Sequence, residues 1–195
     1  MRIAAIVLAG GRSERFGVTD KLTARIDGAT LLERAVAGVA TVTRDVVVVL
    51  RPGASSRTVP PPARTAHDAT EGEGPLAGAF AGLLAVGGAD VAIVVGGDMP
   101  DLQPEVLRSM LARLDDPTVE LVALDDGAGP RPLPIVVRTG PAAAAADALL
   151  QAGRRRLRDL LGTLRAAVLD PATWTALDPE RATLRDVDEP GDLNR

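Results

Sequence analysis

Ile3-Ala-Ala-Ile-Val-Leu8, followed by Ala9-Gly-Gly-Arg-Ser-Glu-Arg-Phe-Gly-Val-Thr-Asp-Lys21, is an apolar run that passes directly into a glycine-rich, cationic loop. Six consecutive apolar residues read as a central parallel strand buried on both faces. Gly10 and Gly11 allow the backbone to turn sharply and to bring successive N–H groups against an anion where a side chain would collide. Arg12, Arg15 and Lys21 add positive charge, so the loop reads as a holder of polyphosphate. The spacing is neither G-x-x-x-x-G-K-[ST] nor G-x-G-x-x-G, which excludes the P-loop and dinucleotide fingerprints. The opposing reading is a basic surface loop that merely caps a strand.

Outward from this stretch, apolar strand candidates alternate with helix candidates. This is the pattern of an α/β fold, a mostly parallel, Rossmann-like sheet covered on both faces as a three-layer sandwich. Thr30-Leu-Leu-Glu33 has capping-box spacing and predicts a helix to about Ala40, and Val46-Val-Val-Val49 predicts a β-branched strand over residues 45–50. Residues 51–62, rich in proline, serine and glycine, read as a loop. Beyond it the pattern predicts a strand at 64–68, a helix at 76–86 opened by Gly74-Pro75, and a strand at 91–95. A helix at 101–114 follows, with Asp101 as its cap and Pro104 in its first turn. Strands at 119–124 and 133–138, helices at 141–152 and 155–164 and an extended stretch at 166–169 complete the series. A length of 195 residues suits a single domain over the whole chain.

Composition narrows the class of function. With two Phe, one Trp and no Tyr, the core must be aliphatic. A net charge of −4 without a basic tail argues against nucleic-acid wrapping. The absence of cysteine removes disulfides, thiolate metal sites and cysteine nucleophiles, and points to a reducing, cytoplasmic setting. The N-terminal apolar run is too short to span a membrane and lacks the features of a signal peptide, so no membrane partner is expected.

Gly96-Gly97-Asp98-Met99-Pro100 follows the strand at 91–95, at the sheet edge where the first loop also opens. A carboxylate there, facing a bound triphosphate, is placed to bind Mg²⁺, and the glycine pair suggests close approach to the backbone. The alternative for Asp98 is a turn or capping aspartate ahead of proline. His67-Asp68 and Gly74-Pro-Leu-Ala-Gly78 lie between the third strand and the next helix, where small residues would let a base slide against the backbone. The alternative for Gly74-Pro75 is a plain helix start. His67 reads as a strand-end residue, and neither zinc spacing nor a G-x-S-x-G elbow occurs.

Together these elements resemble the molybdenum cofactor guanylyltransferase (MobA-like) family and, more broadly, the sugar-nucleotide pyrophosphorylase fold, the nucleotide-diphospho-sugar transferase type. The resemblance runs over residues 8–21, Asp68 with residues 74–83, residues 98–100, Arg131-Pro-Leu-Pro134 and residues 186–193. It implies a nucleotidyltransferase in which the terminal phosphate of molybdopterin, or of its molybdenum form, attacks the α-phosphorus of GTP and releases pyrophosphate. An acceptor that is already an oxyanion needs no protein nucleophile, so alignment and charge neutralisation suffice. The resemblance assigns Leu8, Ala9, Gly10 and Gly11 to base and phosphate contacts, and Arg15 and Lys21 to the phosphates. It gives Asp98 to Mg²⁺, and Asp68, Gly74, Pro75, Leu76 and Gly78 to the nucleotide. It also implies transient contact with other proteins of cofactor biosynthesis.

Several positions depart from the family pattern. Phe16 replaces methionine, and Arg51 stands where an asparagine is expected after the second strand. Asp186 and Asp188 replace two asparagines, a form shared with cytidylyltransferase and phospholactate-guanylyltransferase relatives. Either aspartate is a candidate second Mg²⁺ ligand, set against a solvated turn. Arg154-Arg-Arg156 is a candidate contact for the pterin phosphate, set against a solvated helix start. Two alternatives therefore stand beside the guanylyltransferase. One is a cytidylyltransferase for the same pterin, or a phospholactate-type guanylyltransferase. The other is a non-catalytic nucleotide- or pterin-binding paralogue.

Overall fold

Strand β1 (Ile3–Leu8) lies inside a seven-stranded sheet in the computed structural model, which describes residues 1–10, 21–52, 58–67 and 74–194. The sheet order is β5 (Arg64–His67), β4 (Val46–Leu50), β1, β6 (Val91–Gly96), β8 (Pro130–Arg138), β7 (Leu121–Asp125) and β9 (Ala166–Leu169). Only β8 runs against its neighbours. Its direction follows from the short turn after β7, where Asp125 Oδ1 accepts from Gly127 N at 2.7 Å and Gly129 N at 3.1 Å and folds the chain back on itself. A small ribbon of β2 (Arg25–Ile26) and β3 (Ala29–Thr30) stands apart from the sheet.

Successive residues of β1 feed opposite cores, as the period of two requires. Ala5 and Val7 join α1 (Leu31–Ala40), α3 (Pro104–Ala112) and Trp174 of α6 (Pro171–Thr175). Ala4 and Ile6 join α2 (Gly74–Ala85), α4 (Thr139–Gln151) and α5 (Asp159–Thr163) on the other face. The three-layer α/β arrangement with a mostly parallel sheet is therefore as expected. Trp174 is fully buried and donates from Nε1 to the Asp125 carbonyl at 2.8 Å, so its one polar atom is satisfied.

The capping box forms as read: Glu33 N donates to Thr30 Oγ1 at 3.1 Å and Thr30 N to Glu33 Oε2 at 2.6 Å. Other boundaries move. The helix expected at 101–114 starts at Pro104 with Gln103 as its cap, and Asp101 turns its carboxylate to Arg34 and Arg185 instead. It ends at Ala112 in a 3-10 turn at Arg113–Asp115. The helix expected at 155–164 shrinks to α5, and β8 and α4 begin three and two residues earlier than the pattern suggested. The β2–β3 ribbon and α6 were not anticipated, although Asp170-Pro171 carries the cap signal of α6 and Asp170 accepts from Thr173 N.

Removing the cap of α1 tests this local reading. Thr30→Ala should cost about 1 kcal/mol, and so lower the thermal midpoint by roughly 2–4 °C in a chain of this size, as read by circular dichroism.

Candidate active site

The site is set by how β1 meets β6. Leu8 pairs with Gly96 in parallel register, and the pairing continues past the strands as Gly97 N donates to the Leu8 carbonyl at 2.9 Å, while on the β4 side Ala9 N donates to the Val49 carbonyl, also at 2.9 Å. Both loops therefore leave the sheet side by side at its carboxyl edge. A Cβ on Gly96 would strike Asp98 Oδ1, and one on Gly97 would lie 3.3 Å from both Leu22 Cδ2 and the Leu8 carbonyl. The close approach foreseen at this glycine pair is thus made by the chain's own groups, with the Asp98 carboxylate folded back over Gly96.

Lys21 begins the 3-10 turn Lys21–Thr23, whose Leu22 is buried. Its Nζ lies 2.6 Å from Asp98 Oδ2 and 3.2 Å from Asp188 Oδ1, and the side chain is only 14% exposed. Burial disfavours the ammonium, but hydrogen bonds and charge from Asp98, and then from Asp188, outweigh it and hold the Lys21 pKa above the ordinary lysine value. Asp188 reaches this place on a segment whose Val187 is fully buried and donates from N to the Asp98 carbonyl at 3.0 Å.

Asp186 is paired with a different cation. It sits 3.4 Å from Arg131 Nη2, and Arg131 Nη1 is equally far from Asp126 Oδ2. Burial, followed by the charge of Asp188, raises the Asp186 pKa against the opposing pull of Arg131. Arg131 belongs to the Arg-Pro-Leu-Pro strand but carried no assigned role, because its partner lies 55 residues further along the chain.

The remaining predicted positions fall into three groups. Gly10 stands beside Arg51, the residue in place of the expected asparagine, and a Cβ on it would lie 3.6 Å from the Arg51 backbone N. Gly74 adopts a φ of +81° at the start of α2, where a Cβ would lie 2.9 Å from the Arg155 carbonyl. Pro75 is exposed, whereas Leu76 is fully buried and its N–H is directed to that same carbonyl at 3.3 Å. Gly78 faces Leu8 and Val49. Gly11, Arg15 and Asp68 lie outside the described residues. His67 is exposed at the end of β5, and Arg154 is held by Asp159 through two bonds at 2.6 and 3.0 Å.

Mg²⁺ takes oxygen ligands and often only one or two carboxylates. Asp98 and Asp188 supply such oxygens and converge on a single cationic atom, so their chemistry fits that ion. No cluster of three or more His, Cys, Asp or Glu in metal-holding geometry occurs among the described residues. Among them, too, no helix is long and apolar enough to cross a membrane.

Comparison with known proteins gives this geometry a context. The family model described as the MobA-like NTP transferase domain matches residues 5–168. A protein of Chloroflexus aggregans named probable molybdenum cofactor guanylyltransferase is 34% identical over 200 residues, covering 99% of this chain and 92% of that one. One of the same name from Mycobacterium avium is 37% identical over 166 residues, covering 83% and 81%. The crystal structure of molybdopterin-guanine dinucleotide biosynthesis protein A from Archaeoglobus fulgidus superposes with a TM-score of 0.82 at 24% identity, over 98% of this chain and 95% of that one. The 4-diphosphocytidyl-2C-methyl-D-erythritol synthase of Anaerococcus prevotii gives 0.70 at 15% identity over 99% and 95%. At such identities the two structures show a shared fold.

The Asp186 environment yields a signed expectation. A carboxyl whose pKa is raised on folding contributes most below its unfolded value and loses that contribution as pH rises through the folded one. Asp186→Asn should therefore melt higher than the parent at pH 7, and the difference should close below about pH 4, as followed by calorimetry.

Proposed function

The chain belongs to the MobA-like NTP transferase family and is an enzyme of the nucleotidyltransferase type, and we propose that it moves GMP from GTP onto the terminal phosphate of molybdopterin or its molybdenum form. An oxygen of that phosphate forms a bond to the α-phosphorus of GTP, the bond from that phosphorus to the β-bridging oxygen breaks, and pyrophosphate departs with the electron pair. The products are a guanine dinucleotide of the pterin and pyrophosphate. The names borne by the relatives from C. aggregans and M. avium support this reading. The single observation that carries it is the meeting of Lys21, Asp98 and Asp188 at the edge where the glycine-rich segment leaves β1.

Lys21 keeps its charge throughout the neutral range and neutralises phosphate oxygens as negative charge shifts toward the leaving pyrophosphate. The family resemblance gives Arg15 the same role. Asp98, with Asp188 or Asp186, would hold Mg²⁺, which when bound supplies further neutralisation of the triphosphate. The backbone around Leu8, Ala9 and Gly10, with Gly11, Asp68, Gly74, Pro75, Leu76 and Gly78, receives the nucleotide. The ties from Ala9 N and Leu8 O into the sheet make this platform rigid, which is what alignment of two anions requires. The aspartates at 186 and 188 favour one second reading, transfer of CMP from CTP to the same pterin or transfer of GMP to a phospholactate-type acceptor.

Pyrophosphate release should require both GTP and molybdopterin with Mg²⁺, and should fall by about 10²–10³-fold in Lys21→Ala and in Asp98→Asn, with the fold retained by circular dichroism. Unchanged rates in both variants would sink the reading. Release with CTP in place of GTP would establish the cytidylyl branch.

A further inference from the structure

Residues 98–103 and 183–188 run side by side in opposite directions and are tied at three levels. Val187 N donates to the Asp98 carbonyl at 3.0 Å, Arg185 Nη1 to Asp101 Oδ2 at 2.7 Å, and Gln103 N to Thr183 Oγ1 at 3.1 Å. The middle tie is the charged one, and it extends in both directions. Asp101 Oδ1 takes Arg34 Nη2 of α1 at 2.6 Å, so one carboxylate, 15% exposed, is clamped between two guanidiniums. Arg185 Nη2 donates to the Asp192 carbonyl at 2.6 Å, and Asp192 Oδ2 accepts from Asp188 N and Glu189 N, each at 3.1 Å. A chain of charge-assisted contacts thus leads from α1 to the backbone of Asp188.

Asp188 needs such support. Its side chain is 53% exposed, so packing does not hold it, and the position of its carboxylate beside Lys21 depends on where its backbone is pinned. We propose that Asp101 is a positioning residue that holds Asp188 against Lys21 and Asp98 through Arg185 and Asp192. Asp98 and Asp101 share one short loop, so the loop that supplies one carboxylate of the site also anchors the segment that supplies the other. The relative placement of two carboxylates from distant parts of the chain thus depends on a charged residue between them, in addition to the backbone bond from Val187 N to the Asp98 carbonyl. This inference rests on the reading above, in which Asp98 and Asp188 serve nucleotidyl transfer.

Asp101→Asn keeps the size of the side chain and removes the charge that clamps both arginines. In the ligand-free chain it should speed amide hydrogen exchange at residues 187–189 by about tenfold while leaving the sheet strands protected. Pyrophosphate release from GTP with molybdopterin should fall by about 10–100-fold, the usual effect of losing a group that orients a ligand. In an Asp188→Asn background the same substitution should cost almost nothing further, because the residue through which it acts is already lost. Asp101→Glu should restore part of the rate. Arg185→Gln, which leaves the Asp101–Arg34 pair intact, should show the same exchange and the same coupling even if Asp101→Asn folds poorly. Unchanged exchange at 187–189 in both variants, or an equal loss of rate in the presence and absence of Asp188, would overturn the proposal. A parent chain that releases no pyrophosphate would instead remove the functional reading, and the exchange measurement would then decide the positioning role alone.

Discussion

The parallel pairing of β1 with β6 is the constraint on which the rest of the site depends. With Leu8 opposite Gly96, the pairing continues into the Gly97 N–H bond to the Leu8 carbonyl, so the two loops start at the same height on the same edge. A slip of one residue would exchange the two cores fed by Ala5 and Val7 and by Ala4 and Ile6, and burial on both faces therefore fixes the register. Lys21 and Asp98 then meet because the two segments that carry them leave the sheet as neighbours.

A second physical theme is the management of negative charge. Asp98, Asp101, Asp186 and Asp188 lie within one short stretch of the sheet edge, and like charges so close would repel unless each found a cation. Lys21 serves Asp98 and Asp188, Arg131 serves Asp186, and Arg34 with Arg185 serves Asp101. These cations come from the first loop, α1, β8 and the C-terminal segment, so the cluster also sews together parts of the fold that share no sheet contact. At Asp186, burial and the charge of Asp188 outweigh Arg131 and raise its pKa.

Much of the architecture was legible because it is written in local patterns. The apolar runs of β1, β4 and β6 and the reciprocal bonds of Thr30 and Glu33 need only near neighbours to be recognised. Errors arose where a residue had a distant competitor. Asp101 reads as a helix cap from its position ahead of Pro104, yet two arginines hold its carboxylate and Gln103 takes the cap position without a side-chain capping bond. The close approach suggested by the glycine pair before Asp98 is made by the Asp98 carboxylate itself. Arg154 pairs with Asp159, a near neighbour in the chain.

The sequence by itself determined the alternation of strands and helices, the capped start of α1 and the motif residues that place the chain in its family, because each rests on spacing within a few residues. Only the tertiary structure decided that Asp188 shares Lys21 with Asp98, across 167 residues of chain, and that Asp186 answers to Arg131. It also decided that β8 runs against the sheet and that Asp101 ties the two acidic segments together. Such pairings are set by which loops emerge side by side once both faces of the sheet are buried, and no local spacing encodes that.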